Sequence, residues 1–109
     1  MSRQTRIIAG TPKGTFPMAS TDAAQLLTAA ELVHSGGGDR DPVSAMITVE
    51  DYAIRYTVGD STPTLVPALG HKGAEANVIY LECTHSIKTF KFLNAVTGSN
   101  ATIQVTVGF

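Results

Sequence analysis

The stretch from residue 43 to residue 64 constrains the fold more than any other part of the sequence. It reads VSAMITVEDYAIRYTVGDSTPT and holds two runs in which apolar and polar residues alternate. Alternation with a period of two is typical of a β-strand with one buried face. The turn-forming sequence GDSTPT then ends the second run. The stretch therefore predicts two strands, whose apolar faces are formed by Ala45, Ile47 and Val49 and by Ile54, Tyr56 and Val58.

The same alternation returns in the last third of the chain. It predicts strands over residues 77–83, 85–94 and 102–107, with a hairpin-type turn at TGSN, residues 97–100. Residues 64–76 contain two glycines and a proline and are interpreted as a connection. Six or so short strands separated by turns predict an all-β antiparallel fold, either a β-sandwich or a jelly-roll-like barrel. The predicted core is Ile54, Tyr56, Ile79, Leu81, Phe90, Phe92, Ile103 and Val105.

The first 20 residues follow no sustained period and are interrupted by glycine and proline. They carry three basic residues and no acidic residue, together with large apolar side chains. We therefore expect residues 1–20 to form an extended N-terminal arm and residues 21–109 to form one β-sandwich domain. Because exposed apolar residues on a tail favour a partner surface, we expect a neighbouring subunit to be contacted by Arg3, Arg6, Ile7, Ile8 and Phe16.

Residues 20–34 are ambiguous between helix and strand. Their apolar residues fall at helical spacing, and Thr21 or Asp22 would make a suitable N-cap, so intrinsic propensity favours a helix. The glycine-rich segment SGGGDRDP that follows is predicted to be a loop, because the context of a phosphate-binding motif is missing around it.

Composition excludes several classes of protein. The formal charge is −1, which argues against nucleic-acid binding. The single cysteine, Cys83, permits neither an intrachain disulfide nor a cysteine metal cluster. No apolar run approaches the roughly 20 residues of a membrane span, and the N-terminus lacks the apolar core of a signal peptide. We expect the protein to be made and folded in a cytoplasm and to bind no membrane.

The sequence offers no evident catalytic, cofactor or metal site. His34, His71 and His85 do not stand at ligand spacing. Cys83 falls on the apolar face of its predicted strand, which favours a buried core residue over a nucleophile. The acids Asp39, Asp41, Glu50 and Asp51 lie in polar turns, where no apolar burial would separate their pKa values. We therefore predict that the protein is not an enzyme.

Several segments between residues 43 and 109 resemble a known group of proteins. They are the strand AIRYTV, the turn GDSTPT, Gly70-His71, the strand IKTFKFLNA and the final strand GSNATIQVTVGF. Together they are similar to small structural proteins of tailed bacteriophages. The resemblance implies a β-sandwich virion component without catalysis, and it implies a strand near residues 23–28 in place of a helix.

Within that group a capsid decoration (cement) protein fits best, because the chain is short, neutral and forms a single domain. The resemblance then implies a location on the capsid surface, binding to the major capsid protein, and association with itself as a trimer or dimer. Two alternatives remain open. The first is a head–tail connector, tail or fibre component. The second is a carbohydrate-binding β-sandwich, whose aromatic platform would have to come from Tyr52, Tyr56 and Tyr80.

Overall fold

A computed structural model describes residues 10–33 and 40–109, which form two four-stranded antiparallel sheets. Sheet A has the strand order β1-β8-β3-β6 and sheet B the order β2-β7-β4-β5. The strands are β1 (Pro12–Ala19), β2 (Gln25–Leu26), β3 (Ser44–Glu50), β4 (Ile54–Thr57), β5 (His71–Gly73), β6 (Val78–Leu81), β7 (Lys91–Asn94) and β8 (Thr102–Gly108). A 3-10 helix (Ala29–Leu32) follows β2, and a short α-helix, α1 (Thr84–Thr89), lies between β6 and β7.

The predicted all-β class is confirmed. Of the two architectures expected, the sandwich is the one observed, because the sheets do not close into a barrel. Alternate residues of both sheets point into one shared core, as sandwich packing requires. All members of the predicted core are buried except Tyr56, which is half-buried against it.

The two strands of the central stretch belong to different sheets. β3 lies between β8 and β6 in sheet A, whereas β4 lies between β7 and β5 in sheet B. The chain crosses between the sheets through Asp51, whose φ of 72° is in the left-handed region that a turn uses. The final turn behaves similarly: residues 97–100 do turn, but they carry the chain from β7 of sheet B to β8 of sheet A. The hairpin interpretation of that turn is therefore wrong.

The strand predicted over residues 85–94 is correct only in its second half. Residues Thr84–Thr89 form α1, and the Thr89 hydroxyl donates to the His85 carbonyl at 2.7 Å within that helix. Ile87 and Phe90 are both fully buried although they are three residues apart. An odd spacing would place them on opposite faces of a strand, whereas one helical turn places them on the same side.

Two shorter segments also refine the predictions. In residues 20–34 the strand is confirmed but spans only Gln25–Leu26, and the helical propensity produces a single 3-10 turn. The connection predicted over residues 64–76 contains β5, a three-residue edge strand that pairs with β4.

The arm boundary expected at residue 20 differs from the structure. β1 pairs along its length with β8, and Phe16 and Met18 pack against the core. The described part of the arm is thus an edge strand of the domain itself. Pro12 and Pro17 fit this position, because proline is tolerated on sheet edges.

Candidate functional site

The residues predicted to contact a partner separate into two groups. Phe16 lies in β1, half-buried against the core, so its own domain covers much of the ring. Arg3, Arg6, Ile7 and Ile8 lie outside the described residues. The prediction that these four contact a neighbouring subunit remains a prediction.

The described histidines do not converge on a common point. His71 is exposed in β5 and its ring centroid lies 5.6 Å from that of Tyr56. His85 is exposed in α1, while His34 lies outside the described residues. Within residues 10–33 and 40–109, no group of three or more His, Cys, Asp or Glu side chains is placed to hold a metal ion.

Cys83 is exposed, so the prediction that it belongs to the core is wrong. β6 ends at Leu81, and the alternation that would have turned the thiol inward stops there. Cys83 instead forms the N-cap of α1, and its Sγ lies 3.1 Å from Ser86 Oγ. Hydrogen bonding by the Ser86 hydroxyl and backbone lowers the pKa of the thiol.

Acidic side chains gather at one open depression. Glu50, Asp51 and Glu75 line it together with Thr48 and Ala76. All three acidic residues are exposed, which is the opposite of the apolar burial that general acid–base carboxylates need. These carboxylates are therefore solvated groups at the surface.

A polar cluster joins the end of β7 in sheet B to residues 20–22, which follow β1 of sheet A. Asn94 is fully buried, and its amide donates to Asp22 Oδ1 at 2.8 Å and to Asn100 Oδ1 at 2.7 Å. The side-chain oxygen of Asn94, Oδ1, accepts from the hydroxyl of Ser20, which is also buried. Gly98 N–H donates to Asp22 at 2.8 Å, and this bond and that of Asn94 lower the pKa of the carboxyl. The polar groups of the cluster form their hydrogen bonds with one another, so we interpret the cluster as structural. In the sequence its one indication is Asn94, an asparagine in an otherwise apolar strand.

The most distinctive exposed feature is a loop between β4 and β5, residues 65–69, which we call the apolar loop. Its sequence is LVPAL, and Val66 is 93% exposed. Thr64 and Leu69 close the loop by exchanging two backbone hydrogen bonds of 3.1 and 3.0 Å. The Thr64 hydroxyl donates to the Pro67 carbonyl at 2.5 Å. The loop is therefore a fixed apolar projection. Sequence reasoning treated it as a connection, although five consecutive apolar residues between turn signals marked it.

The surface beside the apolar loop is also apolar. Val58 follows the end of β4 and is 40% exposed, and Leu69 is 48% exposed. Both line a depression of about 320 Å³ with Thr57, Ser61, Gly70 and His71. Arg55 supports this end of the molecule by donating to the Gly70 carbonyl at 3.1 Å. The apolar loop and the depression form one continuous surface at one end of sheet B.

The outer face of sheet A has a different composition. Its strands point small or uncharged side chains outward, with one acidic residue at an end of β3. In the registers of the sheet this face is formed by Thr15, Pro17, Ala19, Thr102, Gln104, Thr106, Met46, Thr48, Glu50, Val78 and Tyr80. By contrast, the outer face of sheet B carries three cationic residues on adjacent strands, Arg55, Lys72 and Lys91.

The three tyrosines lie on separate surfaces. Tyr56 packs on the core side of sheet B with its ring centroid 5.4 Å from that of Phe90, whereas Tyr80 points outward from sheet A. Tyr52 is exposed in the connection between β3 and β4. They do not form the shared aromatic platform that the carbohydrate-binding alternative requires.

Comparison with family models, curated proteins and solved structures finds no match to this chain. In the part of the chain that the structure describes, no helix is long and apolar enough to cross a membrane.

Proposed function

We propose that the protein is a non-enzymatic virion component, a capsid decoration protein that binds the surface of the major capsid lattice. The observation that carries the proposal is the apolar loop, a fixed projection whose Val66 is almost wholly exposed. Contiguous exposed apolar surface in a small domain marks a site of interaction.

The shape of the apolar loop suits docking. The two backbone bonds between Thr64 and Leu69 hold it in one conformation, so binding costs little conformational entropy. Fully burying a valine or leucine side chain contributes about 1.5–3 kcal/mol. Two or three such side chains together contribute about 3–9 kcal/mol. This contribution is similar to, or smaller than, the roughly 4–15 kcal/mol that association costs. A single contact is therefore weak, and a lattice that engages several linked copies would strengthen it by avidity.

The resemblance to phage structural proteins points to the same region. The GDSTPT turn ends at Thr64 and the Gly70-His71 pair follows Leu69, so these two motifs border the apolar loop on both sides. Two of the five segments on which the phage interpretation rests thus border the apolar loop.

The arm supplies the second contact in this proposal. Arg3, Arg6, Ile7 and Ile8 precede β1 and would lie against the major capsid protein or a sister copy. Phe16 is assigned to the domain's own sheet and not to this contact. Deleting residues 2–9 leaves β1 intact and should weaken attachment to capsids while the domain stays folded. Binding as tight as that of the full chain would show that the arm is only a tail.

The main test uses co-sedimentation with capsids assembled from the major capsid protein of the same genome. Val66→Asp should weaken binding roughly 10- to 150-fold, the equivalent of about 1.5–3 kcal/mol. Val96→Asp is the matched control, because Val96 is 61% exposed and lies just beyond the Asn94 end of β7, opposite the apolar loop. The control should bind like the wild type.

The number of copies bound separates the leading proposal from its alternative. A decoration protein should saturate capsids at hundreds of copies, whereas a head–tail connector or tail component binds at a dozen or fewer. Unchanged binding by Val66→Asp would overturn the role of the apolar loop. Saturation at a dozen copies would overturn the decoration role itself.

A further inference from the structure

We propose that the arm residues Ile7 and Ile8 of the free protein pack into an apolar groove of their own chain, at the end of the sandwich where β1 begins. This docking goes beyond the proposed function and does not require a capsid.

The groove has a volume of about 490 Å³ and mostly apolar walls. Its apolar residues are Leu26, Leu27, Ala29, Leu32 and Val33. Leu27 is buried, whereas Leu26 is 49% and Val33 53% exposed. The volume lies in the range of sites that enclose a ligand, and adjacent exposed apolar side chains favour a covering group.

The charged residues of the groove do not select a charged occupant. They are Arg40, Asp41 and Lys88. Lys88 Nζ donates to Asp41 Oδ1 at 2.7 Å, so these two charges neutralise each other. Because five apolar residues form the rest of the lining, an apolar side chain is the occupant that gains most from entering.

The arm leaves the domain at the same end of the sandwich as the groove. One wall is the 3-10 helix, which is tied to the start of β1 because Lys13 Nζ donates to the Ala30 carbonyl at 3.2 Å. The other wall includes α1, which is tied to the residues before β3 because the Thr84 hydroxyl donates to the Pro42 carbonyl at 2.7 Å. β1 and β3 both begin opposite Gly108, so the two walls flank the point where the arm enters.

The reach of the arm fits this distance. The backbone passes directly against Val43, since a Cβ at Gly10 would lie 2.9 Å from Val43 Cγ2, and it bends at Gly10 with a φ of 81°. Ile8 and Ile7 stand two and three residues before Gly10, so they can lie up to about 7 and 11 Å from it. Asp41, which lines the groove, stands two residues before Val43 and is bounded by the same reach. Both isoleucines can therefore arrive at the groove.

The chain offers few other side chains that could fill the groove. Residues 34–39, between Val33 and Arg40, read HSGGGD and contain no large apolar side chain. The large apolar side chains of residues 1–9 are Met1, Ile7 and Ile8, of which Met1 is the furthest from Gly10. The arm of a second copy has the same chemistry, but a short tether gives the chain's own arm a millimolar effective concentration. In dilute solution the chain's own arm is therefore the occupant.

Docking has a consequence for the function proposed above. There the arm contacts a neighbouring subunit, so the groove and that neighbour compete for Ile7 and Ile8. The groove covers these side chains in the free protein, and attachment through the arm then requires their release.

The first experiment is limited digestion of the full chain with trypsin, without capsids, followed by mass spectrometry. Arg6 directly precedes Ile7, so docking should protect the bond between them. Val33→Asp places a charge in the groove and should raise the rate of cleavage there about tenfold, because cleavage follows the population of undocked arm. Equal rates in the wild type and this variant would overturn the proposal.

The matched control for the digestion is Val78→Asp. Val78 is 43% exposed in β6 and does not line the groove, so this variant should be cleaved like the wild type. Because Val33 is itself half exposed, its substitution should leave the circular dichroism spectrum unchanged. Faster cleavage in both variants would mean that loss of stability is the cause, which would also contradict docking.

The second experiment locates the arm in the unmodified protein, so it does not depend on how the variants fold. A ¹³C-resolved NOESY spectrum should show cross-peaks from the methyl groups of Ile7 or Ile8 to those of Leu26, Leu32 or Val33. Consecutive residues of an extended segment face opposite sides, so one of the two isoleucines should give most of these cross-peaks.

A 1:1 mixture of ¹³C-labelled and unlabelled chains separates the chain's own arm from that of a second copy. Cross-peaks that persist on dilution and are absent between labelled and unlabelled chains support the proposal. Cross-peaks found only between chains overturn it, and so does the absence of any cross-peak between the arm and the groove. Because both measurements are made without capsids, their outcome is independent of the proposed capsid function.

Discussion

The outer faces of the two sheets differ sharply, although both sheets contribute alternate residues to the same core. Sheet A presents threonines, Gln104 and Met46 to the outside, while sheet B presents Arg55, Lys72 and Lys91. On the inside the two sheets are alike, with Ile, Val and Phe side chains fully buried. The alternating pattern therefore determines which residues point outward, but it does not determine whether those outward side chains are charged. Sheet B therefore carries cations on three adjacent strands, whereas the two central strands of sheet A carry uncharged outward side chains apart from Glu50.

The largest effect should come from the core that both sheets share. Phe90 is fully buried, with its ring centroid 5.4 Å from that of Tyr56 and 5.8 Å from that of Phe92. Phe90→Ala should lower the free energy of unfolding by about 3–5 kcal/mol, through lost burial and a cavity. Urea denaturation followed by circular dichroism measures the change. Lys91→Ala, at the next position and outward-facing, is the control. Two separate transitions would show that the sheets do not share one cooperative core.

The next effect concerns the polar cluster that ties the two sheets together. Asn94→Ala removes a donor to Asp22 and leaves the hydroxyl proton of buried Ser20 without its acceptor. The expected loss of stability is about 1–3 kcal/mol. Asn100→Ala, at the exposed end of the same cluster, should cost less. Equal effects of the two substitutions in urea denaturation would contradict the assignment of Asn94 as the centre of the cluster.

A smaller effect tests the cationic face of sheet B directly. Arg55 and Lys72 are cross-strand partners, and like charges in that position destabilise a sheet. Lys72→Glu should stabilise the domain by roughly 0.2–1 kcal/mol, and the gain should shrink in high salt because the pair is exposed. Thr48→Glu on sheet A has no cationic partner opposite and should give no such gain. A salt-independent change at Lys72 would mean that charge is not the cause.

The smallest effect is a dependence of stability on pH. Hydrogen bonds from Gly98 and Asn94 lower the folded-state pKa of Asp22 below its usual 3.8. The carboxylate therefore contributes stability above the pKa of the unfolded state, and this contribution is lost as the pH falls through the folded value. The midpoint of urea unfolding should decrease below about pH 4. Asp22→Asn should have a flatter profile there, and identical profiles would exclude Asp22 as the source.

The sequence predicted those parts of the fold in which one face of a strand is buried. β3, β6 and β8 alternate strictly, and their inward residues are the ones that the pattern indicated. β5 was missed because its residues, His71, Lys72 and Gly73, carry no apolar pattern; the strand exists through backbone pairing with β4. α1 was missed because six residues are too few to establish a helical period.

The candidate site was less accessible to sequence reasoning than the fold. The apolar run of residues 65–69 between two turn signals marks a distinct segment, but such a run normally predicts burial; its exposure depends on the pairing of Thr64 with Leu69, which the sequence does not reveal. Phe16 was assigned to a partner because its pairing strand, β8, lies about 90 residues further along the chain, as the 91-residue separation of Thr15 and Thr106 illustrates. Contacts at that distance depend on the whole fold.

The position of β8 has a consequence for how the protein is made. β8 lies between β1 and β3 in sheet A, so sheet A is incomplete until residues 102–108 have been synthesised. At translation rates of about 5–20 residues per second, β1 is synthesised roughly 5–18 s before β8, the strand it pairs with in the described part of the chain. Such non-local pairing also places the domain among slow folders, on the millisecond-to-second scale. Folding of sheet A is therefore a late event, and a nascent chain that stalls before β8 leaves the inner face of β3 open to wrong partners.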